Sequence, residues 1–188
     1  MRAKEAQVRL DQPRVTPLRD DQIDPEIRER FSRGPILNIF RTLAHYPALL
    51  KRWLVFGNHV LSKSTLPARE RELVILRIGW LCRAGYEWGQ HVAIGKAAGL
   101  SDGEIARIPQ GASAPGWTAL ERALLRATDE LHGDAFVSDA TWAELSGSLT
   151  TQQLIDFVFT VGQYNLVSMA LNTFGVQPEP GLPPLPRA

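Results

Sequence analysis

A chain of 188 residues with 44% hydrophobic and 22% charged residues has the makings of one folded domain with a core of its own, and neither figure fits a disordered or fibrous chain. Twenty-one basic against twenty acidic residues leave a formal charge of +1, which excludes the broad positive field that gathers nucleic acid. A single cysteine, Cys82, excludes an intrachain disulfide, a dithiol reaction within one chain and a thiolate metal site.

The opening stretch MRAKEAQVRLDQPR is charged and lacks the apolar run of a secretory signal, and Arg77 interrupts the apolar run 73–81. These features predict a cytoplasmic protein with no membrane span. Apolar residues recur at three- and four-residue spacing, without the alternation of a half-buried strand, so the predicted fold class is all-α. An extension, 1–20, precedes the helical domain, 21–177. Asp24 followed by Pro25 reads as a cap and first-turn proline for a short helix over 25–31, and Gly34 and Pro35 break the chain before a second over 36–43. Pro47 opens a third, ALLKRWLVFGNHVLS, with Leu50, Trp53, Leu54 and Leu61 on its apolar face.

Pro67 opens a fourth helix, RERELVILRIGWLC, and the break at 83–85 leads to a fifth, YEWGQHVAIGKAA, closed by Gly99 as a left-handed cap. Ser101 with Glu104 forms a capping box for a short sixth helix. A loop holding Gly111, Pro115 and Gly116 follows, then helices over 117–132 and 138–145. Thr150 with Gln153 is a second capping box, opening the long apolar helix LIDFVFTVGQYNLVSMALNTF, which Gly175 closes. Core positions should include Leu73, Leu76, Ile78, Val92, Ile94, Leu124, Leu154, Phe157, Val158 and Val161. The last segment, 178–188, is proline-rich and predicts an extended tail, solvated or lying on a neighbouring subunit, with a ligand for a proline-reading groove as the alternative.

The chemistry-bearing residues gather on the fourth and fifth helices. Glu87 and His91, four apart, share a helix face, and a carboxylate beside an imidazole is an acid–base pair that can exchange protons near neutral pH. The same spacing on an exposed helix contributes only a few tenths of a kcal/mol of stability. Tyr86 and Trp88 flank Glu87 and offer a phenolic donor and an apolar wall for a substrate. Glu72 alone reads equally as a first-turn carboxylate facing the positive end of the helix dipole. His45, His59 and His132 form no metal-ligand spacing with one another.

The stretch LPARERELVILRIGWLCRAGYEWGQHVAIGKAAGLSDGEI, residues 66–105, resembles the signature helix pair of the carboxymuconolactone decarboxylase and alkylhydroperoxidase D superfamily. In that pattern a glutamate stands twelve residues before a Cys-x-x-Cys, and a histidine follows its second cysteine by four. Glu72 and His91 take those two places, Ala84 and Glu87 stand where the cysteines would be, and Tyr86 replaces a histidine of the peroxidase. Loss of both cysteines removes the attacking and resolving thiols of peroxidase chemistry.

The resemblance therefore implies the decarboxylase branch. It predicts a cofactor-independent lyase or isomerase that moves a proton on a small unsaturated carboxylate or lactone, with His91 as donor and Glu87 and Glu72 as its partners, no metal, and Tyr86 and Trp88 at the substrate. Arg77 and Arg83 are candidate partners for a substrate carboxylate. Assembly into trimers or hexamers is implied by the same resemblance, and the apolar circumference of the last helix also asks for burial against other chains. Two other readings stay open: a redox protein using Cys82 alone, and a noncatalytic oligomeric binding protein, whose sign would be Glu87 and His91 in solvent.

Overall fold

Side-chain caps fix where most of the helices begin. The computed structural model describes residues 8–32 and 34–187. Asp24 Oδ1 accepts from the Glu26 and Ile27 amides to start α1 (Pro25–Arg30), and capping boxes at Ser101, Thr118 and Thr150 start α6 (Asp102–Arg107), α7 (Ala119–Asp134) and α9 (Thr151–Phe174). Ser138 caps α8 (Asp139–Ser146). The remaining helices are α2 (Asn38–Leu43), α3 (Pro47–Asn58), α4 (Ala68–Leu81) and α5 (Gly85–Ala97), and there is no strand among the described residues.

The centre of the fold is α4, which packs against α5, α7 and α9. Its apolar residues look both ways. Val74, Ile75 and Ile78 join Leu124, Phe157 and Val161 in one cluster, while Leu73 and Leu76 join Trp88, Val92 and Leu125 in another. A helix apolar on several sides can be stable only as such a shared wall. Of the expected core, Ile94 and Val158 are only half-buried, and Ile94 faces a cavity. The 24-residue α9 is long and apolar enough to cross a bilayer by length and composition, and 56% of its most apolar window is buried inside this fold.

Three local expectations are corrected. The third helix leaves α geometry after Asn58 for a π turn, His59–Lys63, beside which Asp156 of α9 accepts from His59 Nε2 at 3.1 Å and from Thr65 N at 2.5 Å. The expected loop after α6 begins as a 3₁₀ turn, Ile108–Ser113. The proline-rich tail is extended but half-buried rather than simply solvated, with Pro180, Gly181 and Pro184 exposed. It lies on α5 of its own chain, where Leu182 Cβ would stand 3.0 Å from any Cβ placed on Gly89, and Leu185 packs on the Trp88 cluster. Proline restricts the unfolded chain, so docking such a segment costs little further entropy.

Of the N-terminal stretch, residues 1–7 lie outside the described residues, as does residue 188 of the tail. The Arg14 and Val15 amides donate to Phe174 O, which ties the start of the chain to the end of α9.

Candidate active site

Tight packing of α4 on α5 brings the signature residues together. A Cβ at Gly79 would lie 3.3 Å from Glu87 Cγ, and one at Gly95 would lie 3.2 Å from Leu76 Cδ1 of α4, so both glycines admit the close approach that a larger residue would resist. Across this seam His91 stands between two carboxylates, with Nδ1 2.7 Å from Glu72 Oε2 and Nε2 3.0 Å from Glu87 Oε1. All three side chains are buried, Glu72 completely. Arg71 Nε donates to Glu72 Oε1 at 3.2 Å, so two cations and two carboxylates alternate along one line.

With a carboxylate at each ring nitrogen, both nitrogens can donate only if the ring is an imidazolium. Burial pulls the His91 pKa down, but the charge of Glu87 and the hydrogen bonds to Glu72 and Glu87 outweigh it and carry it up to about 9. A buried cation persists here because its partners satisfy it on both sides.

Glu87 and His91 form part of the wall of a cavity of about 320 Å³. Phe31 and Phe40 close one side, Trp53, Leu54 and Leu61 another, and Tyr164, Gln163 and Val167 of α9 a third. The Tyr164 ring meets His91 edge-on, with centroids 4.9 Å apart. Burial and the charges of Glu87 and Glu72 push the Tyr164 hydroxyl well above its ordinary pKa, which keeps it a neutral donor. Glu72 lies behind His91 and does not line the cavity.

The two residues expected beside the substrate separate. Tyr86 lines the cavity, but its hydroxyl is occupied, donating to Glu179 Oε1 of the tail at 3.0 Å and accepting from the Ile39 amide. Trp88 points the other way, into the cluster with Leu73, Leu76 and Leu125, because positions 86 and 88 fall on different sides of a helix; its expected role at the substrate is corrected to a core one. Sequence reasoning missed Glu179, whose carboxylate also takes Gln90 Nε2 and the Asn38 amide and so fastens the tail over the rim. It also missed Gln163 and Tyr164, which no spacing sets apart from the other polar residues of α9.

Neither arginine proposed for a substrate carboxylate serves the cavity. Arg77 is bound to Asp129 by two hydrogen bonds, of 2.6 and 2.8 Å, with Nη1 on the carbonyls of Ile108 and Pro109. Arg83 occupies the α4–α5 turn with φ 52°, exposed to solvent. Cys82 ends α4 away from the cavity wall, its thiol donating to Asn165 Oδ1 at 3.0 Å, and burial pushes its pKa up.

Helix order, the α4–α5 hairpin and the buried Glu–His–Glu line define an alkylhydroperoxidase D-like helical scaffold. Residues 47–130, from α3 into α7, match the carboxymuconolactone decarboxylase family. Three solved structures share the fold. An alkylhydroperoxidase AhpD core from Ralstonia eutropha JMP134, an uncharacterized peroxidase-related protein, is 19% identical with a TM-score of 0.78, covering 89% of this chain and 93% of its own. An uncharacterized peroxidase-related protein from Silicibacter sp. TM1040 is 18% identical at 0.73, covering 97% and 96%. The debrominase Bmp8, in complex with 2,3,4-tribromopyrrole, is 15% identical at 0.73, covering 88% and 91%. No curated protein sequence matches the chain. The chain thus has the alkylhydroperoxidase D-like fold and, over residues 47–130, is similar to the carboxymuconolactone decarboxylase family, without a Cys-x-x-Cys pair.

Proposed function

We propose that this protein is a cofactor-independent enzyme of proton transfer, a lyase or isomerase working at a carbon conjugated to the carbonyl of a small lactone or carboxylate. The observation that supports this is the buried imidazolium held between two carboxylates, one of which, Glu87, reaches a cavity. Both His91 nitrogens are engaged, so the roles expected from sequence exchange places. Glu87 is the group that meets the substrate, and His91 holds it in place through the 3.0 Å contact of Nε2 with Oε1.

In a proton shift the Glu87 carboxylate takes a proton from the carbon next to the carbonyl, and the C–H electron pair moves into the conjugated system as a dienolate. Glu87 then returns the proton at the far carbon. Atoms and charge balance with no redox partner. Asn58, Gln163 and Tyr164 are neutral donors on the wall for the transient oxyanion.

A noncatalytic role would leave Glu87 and His91 in solvent, whereas both are buried. The redox alternative draws little support from a thiol that burial keeps protonated and that lies off the cavity wall. In the same reading the protein acts in the cytoplasm as a homo-oligomer. The test is deuterium incorporation from D2O into a panel of small unsaturated lactones and esters, followed by NMR. Enzyme-dependent exchange that Glu87→Gln abolishes is the expected result, and exchange that persists in Glu87→Gln sinks the assignment.

A further inference from the structure

The charges of the proton-transfer line are already balanced, and the Glu179 carboxylate at the rim is held by the neutral donors Tyr86, Gln90 and the Asn38 amide. Arg71, Glu72, His91 and Glu87 neutralise one another in a line that is closed at the Arg71 end and reaches the cavity at the Glu87 end. Among the described residues no lysine or arginine lines the wall. On the surrounding helices, Arg41 pairs with Asp20 and Lys51 with Glu26. What the cavity offers a ligand is aromatic and aliphatic surface from Phe40, Trp53 and Leu54, with the neutral polar groups of Asn58, Gln163 and Tyr164.

A carboxylate entering this space would lose its water, find no cation of its own and stand beside Glu87. Each of these disfavours it. A neutral carbonyl needs only one donor, and a flat ring suits walls of aromatic side chains. The volume, about 320 Å³, lies at the small end of ligand cavities.

We infer that the cavity selects a neutral, flat, unsaturated small molecule bearing a carbonyl, and discriminates against the corresponding carboxylate. This rests on the proton-transfer reading of the same site and narrows it. A substrate without a carboxylate has no CO2 to lose, so the reaction is a proton shift within a lactone, ester or ketone and not a decarboxylation.

The test is binding by calorimetry of matched pairs, an unsaturated five-membered lactone against the same ring carrying a carboxylate, and methyl benzoate against benzoate. The neutral member should bind about 100-fold more tightly at neutral pH. Leu54→Arg adds a cation to the wall without touching the proton-transfer groups, and should strengthen binding of the acids about tenfold while leaving the neutral members unimproved. Glu87→Gln should narrow the gap in the same direction. Acids that bind the unaltered protein as well as the neutral members would overturn the inference, as would no binding of any probe at millimolar concentration. Neutral-selective binding without deuterium exchange would instead sink the proton-transfer reading and leave the selectivity standing.

Discussion

Glu72 Oε2 and His91 Nδ1 lie 2.7 Å apart across the α4–α5 seam, and Glu72 is fully buried behind the ring. In the proposed proton transfer Glu72 is therefore a positioning residue, fixing the ring and its charge. Glu72→Gln keeps the shape but removes the charge, and should lower the His91 pKa by about 1–3. Titration of the His91 ring signals by NMR reads this directly, and an unmoved pKa would remove Glu72 from the relay.

The raised His91 pKa makes stability depend on pH. The folded chain keeps a proton up to about pH 9 that the unfolded chain sheds near its ordinary value of 6.5. The His91 contribution is thus fully present below pH 6.5 and is lost as pH rises through 9, with a slope of at most about 1.4 kcal/mol per pH unit. Chemical denaturation at several pH values checks this, and the slope should disappear in His91→Gln.

Replacing either end of the pair should separate catalysis from packing. Glu87→Gln leaves a hydrogen-bonding group beside Nε2 and should lower turnover by roughly 10²- to 10⁴-fold. His91→Gln should lose turnover similarly, but it also leaves two buried carboxylates without their shared cation, which costs about 3–5 kcal/mol of stability. Stability losses with no change in rate would mark the line as structural.

The outer face of α9 carries Ile155, Phe159, Leu166 and Met169, each 53–60% exposed, and Phe56 of α3 meets Phe159 edge-on with centroids 6.0 Å apart. An apolar stripe of this kind suits a subunit contact. We expect a homo-oligomer, a trimer or hexamer, by light scattering, and smaller species from Phe159→Arg. A monomeric mass for the unaltered chain at micromolar concentration would refute it.

A thiol on the α4 cap, donating to Asn165 and with its pKa pushed up by burial, should not act as a peroxidatic nucleophile. Peroxide turnover with a dithiol reductant should be absent, and Cys82→Ser should change nothing. Robust turnover that depends on Cys82 would restore the redox reading.

The sequence by itself determined the helices, because caps and period are local. Asp24 before Pro25, the boxes at Ser101 and Thr150, and the left-handed glycines at 99 and 175 each act within a few residues. It also determined which residue types could do chemistry, since Glu72, Glu87 and His91 sit at recognisable spacing, and that dithiol chemistry within one chain is excluded. Only the tertiary structure decided what those residues do. That His91 is held at both nitrogens depends on how closely α4 approaches α5 at Gly79 and Gly95, a packing distance that no local pattern encodes. Whether Tyr86 or Trp88 faces a ligand depends on which side of α5 meets the core, and the tail's return through Glu179 joins residues 93 and 89 positions apart. Arg77 went to Asp129 and Arg71 to Glu72 for the same reason: a buried charge takes the partner that the fold places within reach, and that distance is set by packing.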